Sequence, residues 1–148
     1  MALRFSSDLK TYVINKMVEK MAGTVGTAGT TVLSIYTGSQ PATADDGTSG
    51  TMLCQIVNIG WGNATTHGGT SGTIALAVSG GYSGTASETG TAGWARMLTI
   101  STGYTGSAAT CTIDGDVGTA STSTFVINAV AITSGGQVSL LTAPVSIP

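Results

Sequence analysis

Residues 31–38 have the sequence TVLSIYTG, and this stretch decides the fold class. Its β-branched and aromatic residues favour an extended strand over Thr31–Tyr36. Thr37-Gly38 then supplies residues that are typical of a turn. The same combination of a short strand and a Gly-rich turn recurs along the rest of the chain, which predicts a mainly β domain.

Further strands are predicted where apolar residues recur at every second position. In the second strand, for example, Leu53, Val57 and Ile59 occupy alternate positions. The long stretches 63–73 and 80–93 are polar and Gly-rich, and we expect them to be loops. Together these patterns predict an antiparallel β-sandwich or partial barrel of about seven or eight strands. The remaining predicted strands are Met52–Trp61, Ile74–Val78, Trp94–Ile100, Ala108–Ile113, Phe125–Thr133, Val138–Leu141 and Val145–Ile147.

One amphipathic helix is predicted before the strands, over Ser7–Ala22, with Ser6 or Ser7 as its cap. Its apolar residues recur at a spacing of four and form one stripe. Such a stripe needs a partner, either the β-domain or a neighbouring subunit. We therefore divide the chain into residues 1–23, a helical assembly arm, and residues 24–148, the β-domain. The stripe consists of Leu9, Val13, Met17 and Met21.

The composition indicates a protein that works in an assembly. Of the 148 residues, 8% are charged, against roughly 25% in an average soluble domain. Because surface charge keeps free monomers soluble, a surface this poor in charge suits a chain packed against copies of itself or against a partner. The alternative is a secreted β-domain whose Thr-rich strands need few charges.

Charge is distributed unevenly along the chain. The first twenty residues carry four cations and two acids, a net +2, whereas the remainder carries one cation and five acids, a net −4. A body with so few Lys and Arg residues cannot neutralise many phosphates, so nucleic-acid binding is not expected. No apolar run is long enough for a secretory signal or a membrane span, and no membrane association is expected.

The sequence predicts neither a metal nor a cofactor, and it does not predict an enzyme. His67 is the single histidine, and no serine lies in the glycine-flanked elbow typical of hydrolases. Cys54 and Cys111 belong to no metal-binding cluster and are expected to be free and buried. Asp114-Gly115-Asp116 is shorter than a calcium loop and is predicted to be a tight turn.

Arg96 is the one cation of the β-region, and it lies between Trp94 and Leu98 in a predicted strand. Burying a charge is costly unless it is paired. Either its face of the strand is solvated, or it forms an ion pair with Asp114, with Asp116 or with an acid of a neighbouring subunit. For the two tryptophans, Trp61 and Trp94, packing is preferred over a sugar-binding platform.

Four segments resemble a group of small virion proteins of tailed bacteriophages. In that group a short N-terminal helix precedes a strand that leads into a YTG-x-QP-A-x-A-D turn, and later segments have A-x-W-x-R, DG-x-VG and Gly-Gln-Val-Ser patterns. The matching segments here are Ile35–Asp45, Ala92–Arg96, Asp114–Gly118 and Gly136–Ser139.

This resemblance implies a capsid decoration protein that stabilises the head of the virion and is assembled in the host cytoplasm. Its expected partners are the major capsid protein, or another virion lattice protein, and further copies of itself, for example in a trimer. A tail or head–tail component is the close alternative, and a carbohydrate-binding module of a fibre or adhesin is the alternative from another class. The expected interface residues are Leu9, Val13, Met17, Met21, Trp94 and Arg96.

Overall fold

The computed structural model describes residues 6–22, 28–60, 73–74, 81–99, 112–143 and 145–146. Within these ranges the chain forms one helix followed by ten strands. The bounds are Ser7–Ala22 for α1, Ala28–Thr37 for β1, Met52–Gly60 for β2, Thr73–Ile74 for β3, Tyr82–Thr85 for β4, Gly90–Thr99 for β5, Thr112–Gly118 for β6, Phe125–Ile127 for β7, Ala131–Ile132 for β8, Gln137–Thr142 for β9 and Val145–Ser146 for β10.

Eight of the described strands form one sheet that curls into a nearly closed barrel. The strand order is β2-β1-β5-β6-β7-β9-β4, with β8 paired to β5, while β3 and β10 form a separate pair. The two edge strands approach each other, because Cys54 of β2 forms a bridge with Ala86, just after β4. The predicted fold class, mainly β with one N-terminal helix, is confirmed in its barrel form.

The helix has the predicted bounds, and Ser6 is its cap. The Ser6 hydroxyl accepts a hydrogen bond from the backbone N–H of Leu9 at 3.3 Å. The Ser6 carbonyl accepts the first helical hydrogen bond, from the N–H of Lys10 at 3.1 Å. A serine that binds the N–H three residues later satisfies a donor that has no partner inside the helix.

Strand β1 lies between β2 and β5, and both of its faces are covered. Every residue from 31 to 36 is buried. Leu33 and Ile35 belong to the barrel core. Because side chains alternate along a strand, Val32 and Tyr36 lie on the other face. The predicted first strand is confirmed, and it contributes both to the core and to a second buried layer outside the barrel.

The burial pattern of β2 corrects the predicted alternation of Leu53, Val57 and Ile59. Leu53 and Ile59 are buried, but Val57 is 48% exposed, while the neighbouring Ile56 is fully buried. The pairing with β1 changes register here, and Asn58 adopts a positive φ of 57°. An extra residue in one strand shifts the following side chains to the opposite face, so a strict period of two fails.

The tight turn predicted at Asp114-Gly115-Asp116 is wrong, because these residues lie inside β6. Asp114 is opposite Arg96, and Asp116 is opposite Trp94 of β5. Asp-Gly sequences favour turns when the Asp side chain binds its own backbone. Here the carboxylate of Asp114 has a partner across the strand instead, which removes that competition.

Strand β6 also departs from the purely antiparallel arrangement that was predicted. It runs parallel to β7, with Val117 opposite Phe125. Parallel neighbours ordinarily need a crossover of a dozen or more residues, yet residues 119–124 suffice here. Only the last two residues of β6, Val117 and Gly118, pair with β7, opposite Phe125 and Val126. The chain therefore has to return by only two positions before β7 begins, and a short connection is sufficient.

The predicted loop over residues 80–93 and the single predicted strand Phe125–Thr133 are both wrong. The stretch 80–93 contains β4 and the start of β5, and the stretch 125–133 is divided between β7 and β8. Strand β4 has the sequence YSGT and is held by pairing with β9, so it lacks the apolar alternation from which strands are predicted. The predicted loop 63–73 lies outside the described residues, except for Thr73. Several parts of predicted strands also lie outside them, namely Trp61, residues 75–78, Ile100, residues 108–111 and Ile147.

Candidate functional site

Arg96 forms the ion pair that was one of its two predicted environments, and its partner is Asp114. The pairing of β1, β5 and β6 places Ser34, Arg96 and Asp114 side by side in one row across the sheet. The guanidinium donates two hydrogen bonds to the carboxylate, from Nε to Oδ1 at 2.7 Å and from Nη2 to Oδ2 at 2.6 Å. Both side chains are buried, at 8% and 3% exposure.

The Arg96 guanidinium has two further contacts. Its Nη1 donates a hydrogen bond to the backbone carbonyl of Asp46 at 2.8 Å. Its central carbon lies 5.6 Å from the centroid of the Trp94 ring, within the range of a cation–π interaction. The Trp94 ring stacks on Tyr36, with centroids 4.7 Å apart. One arginine therefore links an aromatic pair, a carboxylate and a loop backbone.

The hydrogen bonds that Arg96 donates to the Asp114 carboxylate are the main reason that the pKa of Arg96 is raised above its ordinary value, although burial acts in the opposite direction. Arg96 therefore remains charged. Breaking such a buried pair by removing one partner is strongly destabilising, because the other charge is left buried alone. We call this unit of Arg96, the Asp114 carboxylate and the Asp46 carbonyl the Arg96 clamp.

The loop over residues 38–51, which we call the strapped loop, is closed at its base by β1 and β2. The N–H of Thr37 donates to the carbonyl of Thr51 at 3.0 Å, and the N–H of Thr51 donates to the Thr37 hydroxyl at 2.9 Å. Within the loop, the Ser49 hydroxyl donates a hydrogen bond to the backbone carbonyl of Ser39 at 2.6 Å. A loop of this length with joined ends is of the Ω type, which is frequently functional.

The strapped loop is also fastened to the sheet. Besides the bond from Arg96 to the Asp46 carbonyl, the hydroxyl of Thr112 donates to the carbonyl of Ala44 at 3.2 Å. Within the loop, the Asp46 carboxylate accepts a hydrogen bond from the N–H of Thr43 at 2.9 Å. The loop is therefore ordered by its own polar groups and is held at two backbone carbonyls.

This site brings together three of the four segments on which the resemblance rests. Ile35–Asp45 provides Tyr36 and the first part of the strapped loop, Ala92–Arg96 provides Trp94 and Arg96, and Asp114–Gly118 provides the carboxylate. Asp114 was one of the three acids predicted as possible partners of Arg96, beside a solvated face, and the role of the Asp46 carbonyl was not predicted. A backbone acceptor has no signature in side-chain chemistry, and the Asp45-Asp46-Gly47 stretch indicated a turn without indicating what it would contact.

The described residues offer no reactive cluster at this site. No group of three or more His, Cys, Asp or Glu residues is placed to hold a metal ion within those ranges. Asp116 accepts hydrogen bonds from the hydroxyl and the N–H of Thr124, which together lower its pKa. His67 and Cys111 lie outside the described residues, so the expectation that the chain is not an enzyme stays a prediction.

Trp94 does not present a face to a sugar. It is 1% exposed, and its ring is covered by Tyr36 and approached by the Arg96 guanidinium. Its indole N–H is buried without a hydrogen-bond partner, which ordinarily costs about 1–3 kcal/mol. Packing, the preferred interpretation of this residue, is what the structure shows, while Trp61 lies outside the described residues.

The helix contacts its own barrel through a residue outside the predicted stripe. Ile14 is fully buried and belongs to the barrel core, whereas Leu9, Val13 and Met17 are 45%, 39% and 38% exposed. Tyr12 beside them is 61% exposed. The stripe is therefore partly exposed, although the helix itself is docked on the barrel.

Of the six residues expected to form an interface, three lie on this exposed stripe. Trp94 and Arg96 are buried within their own chain, and the side chain of Met21 lies outside what the structure describes. The interface assignment stays a prediction, as does the division of the chain at residue 23. The described helix lacks the length and apolar character that a membrane span requires.

Cys54 is free and buried, and burial raises the pKa of its thiol. Because the thiolate is the reactive form, we expect little labelling of Cys54 by a maleimide in the native state and full labelling after denaturation without reductant. The native labelling rate should begin to rise at a higher pH than that of an exposed cysteine. Mass mapping separates Cys54 from Cys111, and rapid native labelling at Cys54 would contradict its burial.

Comparison with protein families, curated proteins and solved structures finds no match to this chain.

Proposed function

We propose that this chain is a structural protein of a tailed-bacteriophage virion, a homo-oligomeric decoration protein that binds the capsid lattice and stabilises the head. The observation that carries the proposal is the meeting of three separate resemblance segments at the Arg96 clamp. The segment Ile35–Asp45 meets Ala92–Arg96 through strand pairing and the Tyr36–Trp94 stack, and Arg96 in turn binds Asp114 of the third segment. Their joint occurrence therefore has a structural reason, which supports a shared design with that group of virion proteins.

The surface that we assign to the lattice is the strapped loop. Gln40, Ala42, Thr43 and Asp45 are exposed on it, while its backbone is fixed by the clamp and by its own hydrogen bonds. Binding through an ordered loop avoids much of the entropy loss that a mobile loop would suffer. Because a homo-oligomer carries several copies of the loop, binding of one copy raises the effective concentration of the others at the lattice.

The test is cosedimentation of the purified chain with the isolated heads and the isolated tails of the phage that carries its gene. We expect saturable binding to heads, with raised thermal stability of the head. Binding to tails alone would replace the decoration role with a tail role. Binding to neither would overturn the proposal.

A pair of matched variants makes the test specific to the strapped loop. Ala42→Arg places a large charged side chain on the exposed loop and should weaken head binding by about tenfold or more. Ala131→Arg makes the same change at an exposed position of β8 and should leave head binding unchanged. Equal effects of the two changes would show that the loop is not the contact surface.

A further inference from the structure

The chain contains two Asp-Gly pairs, and they lie in very different surroundings. Asp46-Gly47 belongs to the exposed strapped loop, and Asp114-Gly115 lies inside β6. In such a pair the carboxyl carbon of the aspartate can approach the next backbone nitrogen closely, because glycine has no side chain to hinder it. The two pairs therefore compare the same chemistry in an open loop and in a paired strand.

A charged donor binds the peptide group between Asp46 and Gly47. Arg96 Nη1 donates a hydrogen bond to the Asp46 carbonyl oxygen at 2.8 Å, and this carbonyl and the Gly47 N–H belong to the same amide. A cation at the amide oxygen stabilises the deprotonated form of that amide, and the deprotonated nitrogen is the form that attacks a carbonyl carbon. Asp114 fixes the guanidinium in this position through its other nitrogens.

The surroundings of Gly47 leave room for ring closure. Gly47 is exposed, and a methyl group built on it meets nothing within 4 Å. In the part of the chain that the structure describes, no acceptor binds its N–H. The Asp46 carboxylate is exposed and is held by one hydrogen bond, from the N–H of Thr43 to Oδ2 at 2.9 Å, whose loss costs little. The carboxyl carbon, the nitrogen and solvent are therefore all accessible here.

We propose that Asp46-Gly47 is a site of spontaneous backbone modification, at which Arg96 promotes the conversion of Asp46 to isoaspartate. The Gly47 nitrogen loses its proton and bonds to the side-chain carboxyl carbon of Asp46. One carboxyl oxygen leaves as water, with that proton and one from solvent, and a succinimide ring remains. Water then adds to the former main-chain carbonyl carbon, whose oxygen binds Arg96, and the bond between this carbon and the nitrogen breaks. The reaction needs no other reactant, and the inference does not depend on the virion role.

The product keeps the strapped loop attached but changes its surface. The former Asp46 carbonyl becomes a carboxylate beside the guanidinium, and hydrogen bonds between two charged groups are stronger than those to a neutral carbonyl. The former side-chain carboxyl group joins the main chain, so the N–H of Thr43 loses its charged acceptor and the loop gains one backbone atom. Isomerisation therefore moves one negative charge from the exposed loop surface to the Arg96 clamp.

Asp114-Gly115 is the internal control. Both carboxylate oxygens of Asp114 accept hydrogen bonds from Arg96, and Gly115 is buried opposite Ala95 of β5. A methyl group built on Gly115 would overlap the side chain of Thr124, so the space around this nitrogen is filled. Reaction at this pair requires local opening of β6, and core strands open rarely.

Peptide mapping of the folded full-length chain after incubation at neutral pH tests the proposal, with electron-transfer fragmentation to distinguish isoaspartate from aspartate. Asp46 should isomerise about a hundredfold or more faster than Asp114, because β6 has to open first. The chain unfolded in urea gives the intrinsic rate of each pair, and Asp46 should react at least as fast in the folded chain. Equal rates at the two sites of the folded chain, or slower reaction of Asp46 on folding, would overturn the inference.

Three variants separate the effect of Arg96 from that of loop mobility. Gly47→Ala hinders the nitrogen in an open position and should slow isomerisation about tenfold. Arg96→Met/Asp114→Ala removes the charged donor and should also slow it about tenfold. Thr112→Val releases the Ala44 carbonyl but keeps Arg96, and it should not slow the reaction.

Circular dichroism verifies that each variant is folded. A double variant that isomerises as fast as the wild type would overturn the role of Arg96, as would an equal reduction in Thr112→Val. If the double variant does not fold, the comparison of the folded and unfolded wild-type chains still decides the proposal.

Discussion

Replacing Asp114 with alanine is expected to lower the free energy of unfolding by about 3–5 kcal/mol. The change leaves the buried Arg96 guanidinium without its carboxylate partner, and water cannot readily replace that partner at a side chain that is 8% exposed. A loss of this size is a large fraction of the stability of an ordinary domain, about 5–15 kcal/mol. Urea unfolding followed by circular dichroism and tryptophan fluorescence measures it.

Asp116→Ala is the matched control for this prediction. Asp116 lies two positions along the same strand, but it is exposed and binds Thr124, so its loss should cost about 1 kcal/mol. Adding Arg96→Met to Asp114→Ala removes the unpaired charge and should recover part of the stability. Equal effects of the two acid substitutions, or simple additivity of Arg96→Met and Asp114→Ala, would show that no buried pair is being broken.

Gly84→Ala is expected to destabilise the barrel by about 3 kcal/mol, the upper part of the usual range for overpacking. Strand β4 passes so close to β2 at this point that an added methyl group would overlap the carbonyl oxygen of Gln55 and lie 3.0 Å from Cys54 Sγ. The carbonyl oxygen belongs to the strand backbone and cannot move without separating the two edge strands. The substitution should therefore also accelerate maleimide labelling of Cys54.

The control for Gly84 is Gly81→Ala, three residues earlier. A methyl group there meets nothing within 4 Å, so the free energy of unfolding should change by about 0.5 kcal/mol or less. The difference between the two glycines measures how tightly the seam between β2 and β4 is closed. If both alanine variants unfold at the same urea concentration, the barrel is more open at Gly84 than the structure indicates.

The sequence predicted the elements whose local signals agree with their tertiary surroundings. The helix has an N-cap serine, Ser6, and apolar residues at helical spacing, and its bounds are as predicted. Strand β1 combines β-branched residues with a glycine, Gly38, directly after its end. The Arg96–Asp114 pair could be anticipated because a lone cation in a strand of a charge-poor barrel must either be solvated or find one of few acids.

Other elements could not be predicted because tertiary contacts override their local patterns. Ile14 attaches the helix although it lies outside the stripe of residues spaced by four. The signal was present, since Ile14, Met17, Val18 and Met21 recur at helical spacing, so the apolar arc is wider than one stripe. Asp114-Gly115 has the composition of a turn, but its carboxylate is needed across the sheet.

The attachment of the strapped loop through main-chain carbonyls has a consequence for how this surface can evolve. Arg96 and Thr112 bind the carbonyls of Asp46 and Ala44, and every amino acid carries that acceptor. Mutation can therefore change exposed side chains such as Gln40 and Ala42 while the loop keeps its position. Selection could retarget the loop to a different surface without rebuilding the barrel beneath it.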